Sequence, residues 1–113
     1  DFCLLSGEDG TALAYLAQGG HGCISVTANV APRLCADMHE AWAKGDVKTA
    51  MRLNERLMPL HEALFAETSP APVKFAASLL GKSSETCRLP LAELLPETKE
   101  RVRREMRAAG ILE

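Results

Sequence analysis

The chain has 113 residues, of which 47% are hydrophobic and 25% charged, the profile of one modest globular domain. A net charge of −2, with three Phe, one Tyr and one Trp, leaves no electrostatic or base-stacking case for nucleic acid or an acidic membrane as partner. No apolar run approaches the roughly 18 residues of a membrane span, and no basic start precedes an apolar stretch and cleavage site, so the expectation is a cytoplasmic protein.

The chain opens inside an apolar run, Phe2 to Leu5, which reads as a short strand running into the turn-rich Ser6-Gly7-Glu8-Asp9-Gly10. Thr11 to Gln18 reads as a short helix closed by Gly19-Gly20, and Gly22 to Val26 as a second strand. Both strand candidates are continuously apolar rather than alternating, the pattern of a parallel sheet buried on both faces. The first 26 residues are therefore a β-α-β crossover. A natural domain seldom starts in mid-strand, and two strands make no stable sheet alone, so a fragment is expected whose strands need neighbours.

From Asn29 onward the pattern is helical. Pro32 opens a helix that runs to Lys44 and stops at Gly45, and Asp46 is an N-cap for the next. From Val47 to Phe65, apolar residues at Val47, Ala50, Met51, Leu57, Met58, Leu64 and Phe65 repeat every 3.6 residues, widened by Leu53 and Leu60. This stripe is read as core, with a subunit contact as the second use of it. Pro59 lies within the segment and is expected to kink or break it. Residues 68–72 form a loop and helix start, Val73 to Leu80 a helix ended by Gly81, and 82–86 a polar loop. Leu89-Pro90-Leu91 is extended, and Pro96 opens a last helix ending at Ala109 before Gly110.

Few residues carry chemistry. Cys3, Cys23, Cys35 and Cys87 match no zinc spacing and are read as reduced thiols, Cys3 and Cys23 buried in the strands. Glu8 and Asp9 form either a catalytic carboxylate pair or, as the composition of the turn favours, a helix-start pair beside a helix dipole. His21 is read as a solvated loop residue, and His61, on the apolar stripe, as a hydrogen-bonded core or interface residue. The Gly19-Gly20-His21-Gly22 run precedes a strand, so it fails as a phosphate cradle. Asn29 is read as a turn residue, and Arg101, Arg103 and Arg104, offset by Glu97, Glu100 and Glu105, as a solvated helix face. No metal constellation is evident.

The order of short motifs is more specific. Leu5-Ser6-Gly7-Glu8-Asp9 resembles the LSGDD loop of dihydrodipicolinate synthases, and the run from Gly19 to Pro32 resembles their GGxGVISVTANVAP stretch. Arg56-Leu57-Met58-Pro59-Leu60-His61 with Leu64-Phe65 is similar to their RLMPLHxxLF helix. Pro70-Ala71-Pro72-Val73-Lys74 resembles NPxPVK with Ser69 in place of Asn, Cys87 to Leu91 resembles LRLPL, and Ala109-Gly110-Ile111-Leu112 resembles AGLL. The matches run in order along essentially the whole chain. The related N-acetylneuraminate lyases share the fold but not the TANVAP run.

The resemblance implies an α/β fold: the C-terminal fragment of a (β/α)8 TIM barrel, with its last two βα units over residues 1–45 and a C-terminal helical subdomain over 46–113. It implies a homotetrameric parent that condenses pyruvate with aspartate semialdehyde through a lysine Schiff base, in lysine and diaminopimelate synthesis, with no cofactor and no metal. The Schiff-base lysine belongs to the sixth barrel strand, upstream of this chain, so the chain alone is expected to be inactive and to depend on the remainder of the barrel. The five lysines here, Lys44, Lys48, Lys74, Lys82 and Lys99, fall on helices or loops, and Tyr15 lies on a helix, so none replaces the family's lysine or relay tyrosine. The substrate-binding residues implied are Gly7 and Ile24, through backbone, and Glu8, where the family usually carries Asp. Two other readings are a non-catalytic helical interaction module and a fragment of another pyruvate-dependent aldolase.

Overall fold

The computed structural model describes residues 1–113 as two compact units, Asp1–Met58 and Pro59–Glu113. In the first, strand β1 (Leu5–Ser6) leads through a 3-10 turn at Asp9–Thr11 into helix α1 (Ala12–Ala17). Strand β2 (Gly22–Cys23) follows, then a 3-10 turn at Thr27–Asn29, helix α2 (Pro32–Ala43) and helix α3 (Val47–Ala63), whose last turn passes into the second unit. The second unit continues with α4 (Ala71–Leu79) and α5 (Pro96–Ala108). No helix is long and apolar enough to cross a membrane.

The strands are parallel, with Leu5 opposite Gly22 and Ser6 opposite Cys23. The His21 N–H donates to the Leu4 carbonyl and the Ile24 N–H to that of Ser6, both at 2.8 Å. The crossover is therefore as expected, but the regular ladder is shorter than the apolar runs and is not buried on both faces. Phe2 is 84% and Ile24 71% exposed, and Leu4 and Leu5 are also exposed. The sheet has only two strands, so each strand has one edge without a ladder partner. For the same reason Cys3 is exposed rather than buried, and Cys23 is half-buried; all four thiols are free.

The helices stop where glycine permits. After α1 the Gly20 N–H donates to the Tyr15 carbonyl at 2.9 Å and the Gly19 N–H to Leu16 at 3.1 Å, the paired bonds of a Schellman motif. Gly19 has φ of 96°, and a Cβ on Gly20 would lie 2.1 Å from the Tyr15 ring. The same bond pair closes α2 at Gly45, α4 at Gly81 and α5 at Gly110, each with positive φ. At the other ends, Pro32 and Pro96 occupy first-turn positions where a missing N–H leaves nothing unpaired. Asp46 Oδ1 accepts the Thr49 N–H at 3.1 Å and starts α3, and these bonds hold its carboxyl below the usual carboxylate range. Helix α4 begins at Ala71, two residues before its expected start, because Pro72 falls where no helical donor is required and the Lys74 N–H reaches the Pro70 carbonyl at 3.0 Å.

Two expectations for α3 change. The helix is not broken at Pro59 but runs on to Ala63. The apolar stripe divides: Ala50, Leu57 and Leu64 are buried, whereas Val47, Met51 and Phe65 are exposed. Met51 and Phe65 each follow a buried residue by one position, about 100° around the helix, and so sit on its flank. His61 is buried, as its place on the stripe suggests.

Within Pro59–Glu113, Leu60, Ala63, Leu64, Phe75, Ala76, Val102 and Met106 form the buried core. The buried Phe75 ring has two cations over it, with Lys99 Nζ 5.4 Å and Arg103 Cζ 5.0 Å from its centroid. Leu64→Ala, at a fully buried position, is expected to cost about 2–5 kcal/mol in denaturant unfolding. Leu89→Ala, at a position 89% exposed, should stay within about 0.5 kcal/mol. Equal losses would contradict this assignment of the core.

Candidate functional site

Parallel strands end on the same side of a sheet, so the residues following β1 and β2 form one edge. Gly7 follows Ser6 and Ile24 follows Cys23, and the Ile24-to-Ser6 hydrogen bond fixes them beside one another. Both are exposed, and a Cβ built on Gly7 would meet no atom within 4 Å. Of the three expected site residues, the structure brings these two together.

Glu8, the third, is committed locally. Its Oε1 accepts the Gly10 N–H at 3.0 Å and caps the 3-10 turn. Ser6 reinforces the turn, its Oγ accepting the Glu8 N–H and donating to the Glu8 carbonyl, both at 3.1 Å. The helix-start reading of Glu8 is thus the one realised.

Asp9 does something different. It is only 6% exposed, and its carboxylate takes hydrogen bonds from the segment following β2. Asp9 Oδ2 accepts the Val26 N–H at 2.8 Å and the Thr27 N–H at 3.0 Å, and Oδ1 accepts the Ser25 hydroxyl. Ser25 Oγ in turn accepts the Ala28 N–H at 2.9 Å, and Asn29 Nδ2 donates to the Val26 carbonyl at 2.9 Å, the turn role expected of Asn29. A buried carboxylate requires such donors, because an unpaired one carries a desolvation cost of several kcal/mol. Sequence reasoning missed this clasp. Its signal was the Ser25-Val26-Thr27 run just past a strand, but the acceptor of its hydroxyl and two N–H donors lies 16 to 18 positions earlier and no local pattern links them.

His21 also has a partner. Its Nδ1 accepts the Leu4 N–H at 2.9 Å, so an exposed imidazole supports the start of β1. That geometry assigns the lone pair to Nδ1. Nearby, burial and then the charge of Asp9 push the Cys23 thiol up, and the same two causes push Cys35 up to about 11. Both thiols stay protonated near neutrality and are poor nucleophiles. No group of His, Cys, Asp and Glu side chains is arranged to hold a metal ion.

The five lysines lie outside β1, β2 and the turns that follow them in the chain. Lys48, Lys74 and Lys99 lie on α3, α4 and α5, and Lys44 and Lys82 in the turns after α2 and α4. None is on β1 or β2.

A family model described as the dihydrodipicolinate synthetase family matches residues 1–109. A 4-hydroxy-tetrahydrodipicolinate synthase of Acidiphilium cryptum (strain JF-5) is 65% identical over 111 residues, covering 98% of this chain and 38% of the relative. The crystal structure of a dihydrodipicolinate synthase from Thermotoga maritima matches with a TM-score of 0.96 at 37% identity, over 99% of this chain and 38% of that one. A chloride-inhibited dihydrodipicolinate synthase from Acinetobacter baumannii, complexed with pyruvate, matches with a TM-score of 0.91 at 36% identity, over 98% and 38%. The chain thus spans under two-fifths of the length of these relatives.

Asp9→Asn keeps the size of the side chain and removes the charge that three donors address. It is expected to lower stability by about 1.5–3 kcal/mol, measured by denaturant unfolding. It should also speed amide exchange at Val26 and Thr27 ahead of α2. An unchanged midpoint and unchanged exchange would contradict the clasp.

Proposed function

Because the chain belongs to the dihydrodipicolinate synthetase family, we propose that it forms the closing edge of a pyruvate-condensing lyase whose reacting lysine lies in another part of the protein. In this reading residues 1–45 are the last two βα units of a (β/α)8 barrel and residues 46–113 its C-terminal helical subdomain. The active face of such barrels is where the strands end. Gly7 and Ile24 directly follow the two strands at that end, and a glycine there lets a small keto acid approach the backbone closely. The juxtaposition of Gly7 and Ile24 at the ends of two parallel strands is the observation that carries the reading. The relative complexed with pyruvate supports the choice of substrate.

The chemistry follows from the ligand. A neutral lysine amine adds to the pyruvate ketone, water leaves, and loss of a methyl proton gives an enamine. The enamine carbon attacks the aldehyde of aspartate semialdehyde, which becomes a hydroxyl, and the amine of that substrate then adds to the iminium carbon and expels the lysine as the ring closes. In this scheme Gly7 and Ile24 shape the pyruvate pocket, and Glu8 stands at its rim while it caps the turn. Asp9 acts on the site by holding the strand ends, without touching substrate. The exposed Phe2, Leu4, Leu5 and Ile24 and the unpaired strand edges support the remainder of the barrel as the partner of this segment. A homotetrameric parent belongs to the same proposal and rests on the resemblance.

Treating the whole protein with pyruvate and borohydride is expected to fix a pyruvyl adduct to one lysine. Peptide mapping should locate it outside Lys44, Lys48, Lys74, Lys82 and Lys99, and the 113-residue chain alone should remain unlabelled. Labelling of any of these five would overturn the assignment of the reacting amine. Labelling of the whole protein without turnover of aspartate semialdehyde would move the reading to a pyruvate-dependent aldolase with another acceptor.

A further inference from the structure

Residues 82–95 contain no helix or strand, yet they run along α4 to the start of α5. Little apolar surface holds them. Leu94 is the buried apolar anchor, Cys87 and Leu91 are half-buried, and Leu89 faces solvent. The attachments are polar. Lys74 Nζ donates to the Thr86 carbonyl, the Ser83 hydroxyl to the Lys74 carbonyl at 3.4 Å, and the Leu95 N–H to Glu67 Oε2 at 3.1 Å.

Two further attachments converge on one atom. Lys99 Nζ lies 3.1 Å from Glu85 and 2.9 Å from Glu93, so a single ammonium on α5 grips the segment near both ends. Lys99 is only 17% exposed, and its ammonium is seated above the Phe75 ring. Its partners raise its pKa, with the Glu93 hydrogen bond the largest cause, and the same bond lowers that of Glu93. Beneath the segment lies a cavity of about 280 Å³ lined by Ala71, Phe75, Cys87, Leu91 and Leu94, among others.

We propose that residues 82–95 are a detachable strap over this cavity, clasped by Lys99, which opens as a unit while α4 and α5 stay folded. A segment with few buried apolar contacts and polar ties belongs to the low-stability end of a structure. Because Glu85 and Glu93 share one cation, losing its charge releases both ties together. Opening uncovers the Phe75 ring, the Cys87 thiol and the cavity wall. The inference uses only contacts within Pro59–Glu113 and does not depend on the reaction proposed above.

Hydrogen exchange on the protein as the cell makes it tests the clasp. Lys99→Met keeps the stem over Phe75 and removes the charge, whereas the double variant Glu85→Gln/Glu93→Gln leaves Lys99 in place. Both are expected to speed exchange about tenfold at Leu91 and Leu95, the strap amides held by the Arg88 carbonyl and Glu67, with 72–79 and 100–108 unchanged. Raising salt to about 1 M, where the screening length falls to about 3 Å, should move the wild type the same way. Unchanged strap exchange in both variants would overturn the proposal. So would a rise in only one of them, since both remove the same ion pairs, or equal acceleration across α4 and α5.

Discussion

A buried carboxylate must be satisfied, and in this chain that requirement falls on Asp9. The residue follows β1, and its donors, Ser25, Val26 and Thr27, follow β2. Its carboxylate thus draws together the two loops that leave the sheet on one side. The ladder alone is too short to do this, since it pairs two residues from each strand. With the loops tied, Gly7 and Ile24 stand next to one another at a defined edge. The Glu8 cap and the Ser6 turn set the approach to Asp9 from the β1 side. Around this point β1 and β2 keep their apolar side chains facing outward, the condition of strands that lack neighbours.

The helices obey a more local logic. Four of them stop at a glycine in the left-handed region, each with the same pair of backbone bonds, and three of these begin with a proline at the first turn. Such signals lie within six residues of one another, so the sequence alone predicts where helices begin and end to within two residues. Pro59 is the exception. Its ring and missing N–H argue for a break, but α3 extends four residues beyond it, with Leu57, Leu60, Ala63 and Leu64 fully buried on either side. Burial of that stripe outweighs one lost backbone bond.

What the sequence did not disclose is of a different kind. The Asp9 clasp, the His21 support of Leu4 and the Lys99 grip on Glu85 and Glu93 each join residues that are distant in sequence or irregular in spacing. No periodicity marks them, and each residue alone has a bland explanation: a turn, a solvated loop, a charged helix face. The exposure of the strands has a related reason. A continuously apolar run reports the environment for which a strand is suited, and Phe2, Leu4 and Ile24 are exposed here because two strands do not supply that environment. The apolar sequence and the bare edge are the same fact seen twice, and both are consistent with a chain that spans 38% of its relative from Acidiphilium cryptum.

The candidate site was legible to the extent that parallel strands, loops and glycine define an edge, and family motifs mark Gly7 and Ile24 on it. The account depends on that edge receiving pyruvate while the amine that bonds it comes from elsewhere. Amide resonances of the whole protein, followed as pyruvate is added under reducing conditions that trap the adduct, test this most directly. The account predicts that Gly7 and Ile24 shift with saturation while Val102 and Met106, in the core of Pro59–Glu113, remain still. Saturation without any movement of Gly7 or Ile24 would contradict it.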